Sequence, residues 1–523
     1  MRGTPWVKRV LGTLALAGAM LAEPILGRGQ EAEQPQNIDL AAAGTLLQQL
    51  RAQVQELHAQ VQNLSVQQAS AKEESAELRK ELDAAKSQLA SLAMPANTVQ
   101  PGQALPGREV AAAATEERIS KLEENQQLAD SKIAEQSQTK MESGSKYRVR
   151  FSGMILFNTF ENRGTVDNVD FPQLAEHPGA LSSSGSFGAA LRQSQIGIEA
   201  FGPTIAGART SGDLQFDFAG GFPQTPNGVT FGIMRLRTGT IRLDWPNTSV
   251  VAGQDALFFT PLSTTSIATV AMPALAYSGN LWSWTPQVRV EHKFTVSESS
   301  SVLLQGGILD SLSGDTPPSE NFRYPSWGES SGQPAFAARV AWTQNVNGQK
   351  LTLGAGGYYG RQAWGYGRGV DSWAGAADAS VPLGKWLEFS GEFFRGRAIG
   401  GLGGGIGQSG LWNGSLLDPA TQVYGLDALG GWAQLKYKAT SKLQFNGAFG
   451  QDNPYAGDLR TNGGNTTYYP VPLSKNQSGL VNFIYQPRSD IVFSLEYRRL
   501  KTFALDSGAN SANVFNLSVG YIF

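Results

Sequence analysis

Arginine recurs at alternate positions in segments whose residue pattern is typical of β-strands. Arg235 and Arg237 are two residues apart, and Arg242 follows in the same segment, residues 233–244. The guanidinium group binds carboxylates and phosphates through paired hydrogen bonds, so a surface lined by such side chains attracts anions. Five further arginines lie in other strand-like segments or at their ends: Arg148, Arg150, Arg192, Arg289 and Arg339.

A competing interpretation gives these arginines a structural role. A guanidinium group that pairs with a carboxylate on a neighbouring strand braces the sheet and is not free to meet a solute. The expected partners are Asp213, Asp217, Glu199 and Glu388. The sequence leaves both roles open for each arginine.

Residue types that support enzymatic chemistry are scarce. The three histidines are His58, His177 and His292, and none has a serine and a carboxylate at a spacing that favours a catalytic triad. The chain has no cysteine, which excludes disulfides and thiolate metal sites. The glycine-rich run 401–407 lacks the lysine of a phosphate-binding loop and is interpreted as a flexible connection. We therefore expect no enzyme activity, no catalytic residue, no cofactor and no metal.

The last residues of the chain indicate what kind of element carries the arginines. Large apolar side chains alternate with small uncharged residues, so the two faces of an extended strand meet different surroundings. An apolar face toward lipid and a polar face toward water is the pattern of a membrane β-barrel. The apolar set is Phe515, Leu517, Val519, Tyr521 and Phe523.

The same alternation extends over residues 146–523, and its connections alternate in length. Short turns such as 201–204 and 244–247 alternate with long loops such as 396–427 and 502–512. This pattern predicts an all-β transmembrane antiparallel barrel of about 16 strands, with 14 and 18 as neighbouring solutions and a soluble β-sandwich as the alternative fold. Charges on the lipid face are costly, so the arginines should point into the lumen. The segment 256–281 lacks alternation and is expected to fold inward as a constriction.

The region before the barrel is predicted to contain an export signal and a helical arm. Residues 1–22 form the signal peptide, with a cleavage site between 22 and 32 that the sequence does not fix. Residues 38–94 form a coiled-coil helix, 95–110 a Pro/Gly linker, and 111–142 a second helical coiled-coil segment. The seam of the first helix includes Leu47, Leu50, Val54, Leu57, Val61, Leu64, Leu78, Leu82 and Leu89.

A long heptad repeat exposes its apolar seam unless the helix finds a partner, so the arm favours an oligomer. The alternative is a single helix that folds back on the rest of the chain. The formal net charge is −2, which gives no indication of a nucleic-acid partner.

Several short motifs resemble the DcaP-type outer-membrane porins. They are Tyr-Arg-Val-Arg-Phe-Ser-Gly at 147–153, Arg-Leu-Arg at 235–237, Val-Ala-Gly-Gln-Asp at 251–255 and the terminal Phe523. The resemblance implies a homotrimer assembled through the arm, one 16-stranded pore in each protomer, and passage of small anions such as dicarboxylates. This chain departs from the family in its longer, two-part arm and in the glycine-rich loop 396–412.

Two functional hypotheses follow from the sequence. The first is a trimeric porin in the outer membrane of a Gram-negative-type bacterium, with its N-terminal arm in the periplasm and small anionic solutes as its cargo. The second is a structural envelope tether, in which a periplasm-spanning coiled coil is anchored by a closed barrel. Whether the arm contacts peptidoglycan is left open.

Overall fold

The computed structural model describes Lys80 and residues 148–181, 183–315, 323–466 and 472–523. Lys80 is helical. The predicted signal peptide (1–22), the rest of the coiled-coil helix (38–94), the linker (95–110) and the second helical segment (111–142) lie outside the described residues, so these predictions remain predictions.

Alternating strands account for most of the described chain. They are β1 (Arg148–Arg163), β2 (Gly185–Ala190), β3 (Gln195–Ile205), β4 (Ala208–Asp217), β5 (Arg235–Asp244), β6 (Thr248–Ala256), β7 (Trp284–Ser297), β8 (Ser300–Leu309), β9 (Ala335–Val346), β10 (Gln349–Ala363), β11 (Gly369–Pro382), β12 (Leu387–Arg397), β13 (Gly410–Trp412), β14 (Val423–Gly425), β15 (Asp427–Lys438), β16 (Leu443–Pro454), β17 (Asn465–Thr466), β18 (Leu473–Arg488), β19 (Ile491–Ala504) and β20 (Ala509–Ile522).

Seventeen of these strands form one antiparallel sheet that closes into a barrel, because β1 pairs with β20. Strands β2 and β3 both pair with β1 and together make one interrupted barrel strand. The described barrel therefore has 16 strands when β2 and β3 are counted as one, which confirms the predicted antiparallel barrel of about 16 strands. Strands β13, β14 and β17 form a small separate sheet within the loops.

The connections separate into a short-turn end and a long-loop end. Turns of two to four residues join β3 to β4 and each later pair at the short-turn end, where β1 begins and β20 ends. The predicted turn at 201–204 lies inside β3, and the predicted long loop at 502–512 is only four residues, because β19 and β20 extend further than expected. The loops at the other end are L1 (164–184), L2 (218–234), L3 (257–283), L4 (310–334), L5 (364–368), L6 (398–426), L7 (455–472) and L8 (505–508).

Among the described residues of the barrel region, helical structure is confined to short segments in the loops. The α-helix α1 (Ala456–Asn462) lies in L7, and short 3₁₀ turns occur at Gly228–Thr230, Glu329–Ser331, Gly400–Leu402 and Gly405–Gly407. Among the described residues, no helix has the length and apolar character needed to cross a membrane.

The outer face of the barrel is a continuous apolar band. Leu495 and Leu517 are directly paired at mid-strand and are 47% and 49% exposed. Aromatic residues lie outward nearer the strand ends, as in the belts that flank the hydrocarbon layer in membrane barrels. Apolar side chains in this arrangement would be costly in water, so the band is suited to lipid. Other outward apolar residues include Ile155, Phe157, Ile241, Val290, Leu304, Val340, Leu353, Phe393, Leu435, Phe449, Val481 and Val519.

Replacing Leu495 by arginine should destabilise the barrel by about 2–4 kcal/mol, because the new charge would sit at mid-membrane depth on the lipid face. The matched control is Ser511→Arg, which adds the same side chain at an exposed outward position near the long-loop end. Its expected cost is about 0–1 kcal/mol. Urea unfolding from phospholipid vesicles measures both values, and equal costs would contradict the outward lipid-facing assignment.

Candidate functional site

Loop L3 leaves the end of β6 and runs along the inner wall of the barrel. Phe259 stacks on Tyr358 of β10 with ring centroids 5.7 Å apart. Thr265 then donates its backbone N–H to the Gln434 side chain of β15 (2.7 Å), and its carbonyl accepts a hydrogen bond from the Asn482 amide of β18 (2.9 Å).

The wall continues to hold L3 beyond this point. The Ser266 hydroxyl donates to Glu496 of β19 (2.6 Å). The Ala268 carbonyl accepts two hydrogen bonds, from Asn158 of β1 (3.1 Å) and from Gln193 between β2 and β3 (2.8 Å). Side chains of the wall thus satisfy backbone groups of a loop that has no ladder partner of its own.

Arginines of β5 complete this path around the interior. Arg237 donates to the Val270 carbonyl and Arg235 to the Ala271 carbonyl, each at 2.8 Å. L3 therefore contacts β10, β15, β18, β19, β1 and β5 in turn, and it narrows the interior of the barrel. The expectation that residues 256–281 fold inward is confirmed.

A buried arginine anchors the returning half of L3. Arg498 of β19 is 1% exposed, donates to the Ala274 carbonyl (2.9 Å) and pairs with Glu496 (2.6 Å). Asn476 of β18 donates to the Tyr277 carbonyl (3.0 Å). Because breaking a buried ion pair leaves an uncompensated charge, these contacts fix L3 strongly to the wall.

An apolar cluster fills the part of the interior beneath β8 to β15. Phe259 and Leu281 of L3 pack there with Leu402 of L6 and with inward side chains of the wall, such as Phe394. The backbone N–H of Trp282 also donates to the Leu402 carbonyl (3.0 Å). L3 and L6 together thus close one side of the lumen.

The glycine-rich run 401–407 serves this packing. A Cβ on Gly401 would lie 2.5 Å from the Leu312 backbone of L4, so only glycine fits there without displacement. Ile406 is fully buried and donates its N–H to Asp452 of β16 (3.0 Å). The sequence predicted a flexible loop, but the run is instead packed inside the barrel, because its missing side chains allow backbones to approach closely.

Charged groups line the interior opposite the apolar cluster. Asp217 lies at their centre. Arg235 grips its carboxylate through two hydrogen bonds (3.0 and 2.7 Å), and Arg237 adds a third (2.8 Å). Both guanidinium groups lie over the ring of Trp284, 4.9 and 4.6 Å from its centroid. Arg235 keeps 28% of its side chain exposed to the lumen.

Arg192 adds a third positive charge next to this group. It pairs with Asp170 of L1 (3.2 Å), lies on the ring of Phe222 and is near enough to Arg235 to interact with it electrostatically. Its Nη1 is buried without a hydrogen-bond partner among the described residues. Three guanidinium groups here face two carboxylates, which leaves the cluster positive. Burial raises the pKa of Asp170 above its ordinary value, and Arg192 opposes this rise.

Arg242 of β5 and Arg289 of β7 are held in a hydrogen-bonded network around Glu291. Arg289 donates to Glu291 (2.7 Å) and Asp255 (2.8 Å), and Arg242 bonds Glu291 (3.1 Å) and Asp244 (2.8 Å). Arg242 retains 35% exposure of its side chain, whereas Arg289 is buried. In this pair only Arg242 has a guanidinium group open to the lumen.

Arg339 of β9 is fully committed to a structural pair. It forks onto Asp378 of β11 across the intervening strand β10, with contacts of 2.7 and 3.1 Å. Gly354 of β10 lies between them, where a Cβ would come within 2.4 Å of both groups. The absent side chain is what allows this pair to form.

Arg148 and Arg150 lie near the beginning of β1, at the short-turn end of the barrel. Both lie over the ring of Phe201, and Arg150 pairs with Glu199 at 3.3 Å. All eight arginines selected from the sequence thus lie on the inward side of the wall, but only Arg192, Arg235, Arg237, Arg242 and Arg289 belong to the charged side of the constriction.

The predicted carboxylate partners are right in two cases and wrong in two. Asp217 and Glu199 pair with arginines as expected. Asp213 instead accepts the Thr240 hydroxyl, and Glu388 pairs with Lys438 (2.9 Å), because these groups are adjacent across the ladder.

Two residues of the site, Trp284 and Glu291, were not expected from the sequence, although their positions carried a signal. Glu291 stands two residues from Arg289 on the same strand and therefore on the same face. Trp284 opens the strand that follows the inward loop, and the end of such a loop is a natural place for a side chain that faces the constriction.

Comparison with known proteins gives a structural match without a sequence match. No protein-family model and no curated protein matches the sequence. Among solved structures, the crystal structure of the outer membrane channel DcaP of Acinetobacter baumannii matches with a TM-score of 0.56 and 16% identity, over 74% of this chain and 100% of that one. The chain has the fold of this channel.

Two further solved structures are similar over a comparable length. The anion-selective porin from Comamonas acidovorans has a TM-score of 0.46 and 10% identity, over 72% of this chain and 100% of its own. Pseudomonas putida OprB has a TM-score of 0.45 and 12% identity, over 72% of this chain and 94% of its own. The DcaP channel structure agrees, at the level of fold, with the resemblance to DcaP found in the sequence motifs.

Replacing Arg498 by alanine should release the returning half of L3 from the wall, because Glu496 would lose its buried partner and Ala274 its donor. The loss expected for one partner of a buried pair is about 3–5 kcal/mol. Hydrogen exchange measures it as faster exchange in residues 264–278. The control is Arg499→Ala, which removes the adjacent, outward-facing and exposed arginine. Unchanged exchange in the Arg498 variant would refute this anchoring role.

Proposed function

We propose that this chain is an outer-membrane porin through which small hydrophilic solutes diffuse, with a preference for anions such as dicarboxylates. The supporting observation is the closed barrel with an apolar outer band and an inward loop that narrows its interior. A barrel of this size has room for an aqueous lumen, and the inward face of β4 to β7 supplies its polar lining. The proposed activity is passive, without catalysis.

The preference for anions rests on the cluster around Asp217. Arg192, Arg235 and Arg237 outnumber the two carboxylates that they contact, and Arg235 remains partly open to the lumen. A guanidinium group held over the ring of Trp284 is restricted in its orientation, which suits paired hydrogen bonds to a carboxylate. A dicarboxylate would be attracted at one end by this cluster and at the other by the exposed edge of Arg242.

Planar-bilayer recording of the purified full-length protein tests this function. We expect stepwise conductance and a reversal potential in a KCl gradient that favours chloride. The absence of conductance would refute the pore, and a reversal potential that favours potassium would refute the anion preference.

The structural-tether hypothesis remains the second candidate because L3 and L6 fill one side of the interior. Phe259, Leu281 and Leu402 form a dry cluster there, as an anchoring barrel with a closed lumen requires. The same recording separates the two hypotheses, since a tether conducts no ions.

Replacing Arg235 and Arg237 together by glutamine should reduce the chloride preference or reverse it. The reason is that the double variant removes two of the three guanidinium groups of this cluster, so less positive charge faces the lumen. The control is Arg395→Gln, which removes an outward-facing guanidinium group. Reversal potentials in a tenfold KCl gradient give the comparison, and an unchanged chloride preference in the double variant would contradict the assignment.

Lowering the pH should strengthen the anion preference through Asp170. Burial raises the pKa of this carboxyl, so it is neutralised at a higher pH than an ordinary aspartate and leaves the charge of Arg192 uncompensated. An Asp170→Asn variant should show this stronger preference already at pH 7 and a smaller further change down to pH 4.5. Identical pH profiles for variant and wild type would exclude Asp170 as the responsible group.

We also propose that the arm assembles the chain into a homotrimer on the periplasmic side, where β1 begins. The 3.5-residue repeat over 38–94 supports this, because its apolar seam needs partner helices. Deleting 38–94 should convert trimers into monomers, as measured by native mass spectrometry in detergent. Trimers that persist without the arm would assign assembly to the barrel.

A further inference from the structure

Cationic side chains are distributed unevenly over the outer surface of the barrel. At the long-loop ends of β10 to β20 and of β1, outward positions carry many lysines and arginines. At the corresponding outward positions of β2 to β9, the described residues carry no charged side chain. The outward cations are Arg361, Arg395, Arg397, Lys475, Arg499, Lys501 and Arg163, against the carboxylates Asp371, Asp427 and Glu161.

Four of these cations form one patch, which we call the basic patch: Lys475, Arg499, Lys501 and Arg163. Arg499 and Arg163 flank Asn513 on directly paired positions of three adjacent strands. Lys501 is two residues from Arg499 on the same strand. Paired positions on neighbouring strands are about 5 Å apart, so Lys475, Arg499 and Lys501 on two adjacent strands lie within reach of one ligand. Arg163 lies two strands further on and pairs with Glu161 (2.8 Å).

Aromatic rings hold the basic patch just above the apolar band. The ammonium groups of Lys475 and Lys501 both lie over Phe503, 4.8 and 5.1 Å from its centroid. Arg163 lies over Phe515 at 5.1 Å. Such contacts orient the cations at the level where the outward face changes from apolar to polar, which is the headgroup level of a bilayer.

An apolar groove of about 560 Å³ lies on the same outward face, directly toward the middle of the barrel wall. Tyr497 and Phe515 close its upper end next to the basic patch, and Gly447 gives it depth because it has no side chain. Most of the other side chains of the lining are apolar, including Leu435, Phe445, Val481, Phe483 and Leu495, and the polar residues Asn446, Asn482 and Glu496 complete it.

We propose that the basic patch and this groove form a binding site for a phosphorylated glycolipid of the outer leaflet. The lipid phosphates would pair with Lys475, Arg499 and Lys501, and an acyl chain would occupy the groove. The cations supply the charge complementarity, and the groove supplies an apolar surface of the right depth below them. This inference rests on the proposed outer-membrane location, because it requires the long-loop end to face the outer leaflet.

The test uses the purified full-length protein and lipid A as the probe. Native mass spectrometry in neutral detergent would count bound lipid A for the wild type and for Lys475→Ser/Arg499→Ser/Lys501→Ser. At about fivefold per cation near the surface, we expect binding on the order of 100-fold weaker in this triple variant. The control is Lys350→Ser/Lys385→Ser/Lys442→Ser, which removes three exposed cations at the short-turn end.

Each outcome decides the proposal. Loss of lipid A in the first variant only, together with weak binding of dephosphorylated lipid A to the wild type, supports it. Equal binding by both variants, or equal binding of the dephosphorylated lipid, overturns it. A change in oligomeric state of the first variant would mean that a second copy of the chain covers this face, which also overturns it.

Conductance measured on the same samples separates this proposal from the channel function. A conducting protein that ignores lipid A would refute only the lipid site. A protein that neither conducts nor binds lipid A would refute the proposed membrane function as well.

Discussion

The structure depends on how the wall of a wide barrel satisfies the backbone of a loop inside it. A barrel of 16 strands encloses more space than its own side chains can fill. L3 folds into this space without strand partners. Its carbonyls are instead met by side chains of the wall: Asn158, Gln193, Arg235, Arg237, Asn482 and Arg498. Buried backbone groups left unpaired would each cost free energy, so these amides and guanidinium groups decide where the loop lies.

This arrangement gives two of the arginines two tasks at once. Arg235 and Arg237 each donate one hydrogen bond to L3 and still pair with Asp217. The five donors of a guanidinium group make this combination available, whereas a lysine ammonium offers three donors without the planar fork. The opposition between a structural and a solute-binding arginine therefore does not hold for these two residues.

The sequence predicted the fold well, because its strongest signal is a period of two that persists from β1 to β20. The alternation of apolar and polar residues predicted which side chains face inward. The pattern of the last strand predicted a closed barrel, and this strand pairs with β1. The predicted ends of the loops were less accurate. Strands β19 and β20 continue past the apolar band, where the outward residues Lys501 and Ser511 no longer follow the membrane pattern.

The details of the site were harder to predict, because they depend on neighbours that are distant in the sequence. Nothing near Arg339 indicates that Asp378 lies across a glycine of the intervening strand. The partners of Asp213 and Glu388 differ from those expected because ladder register decides which side chains meet. The glycine-rich run 401–407 is ambiguous in the same way, since glycine serves both mobile loops and close packing.

The interruption between β2 and β3 has a consequence for assembly. At Gln193 and Ser194 the wall lacks part of its backbone ladder: Ser194 accepts the N–H of Leu156 in place of a backbone carbonyl, and Gln193 bonds the backbone of Ala268, Val270 and Ala271 in L3. The interrupted strand is therefore tied directly to L3. We infer that closure of the barrel wall and seating of L3 are coupled during folding.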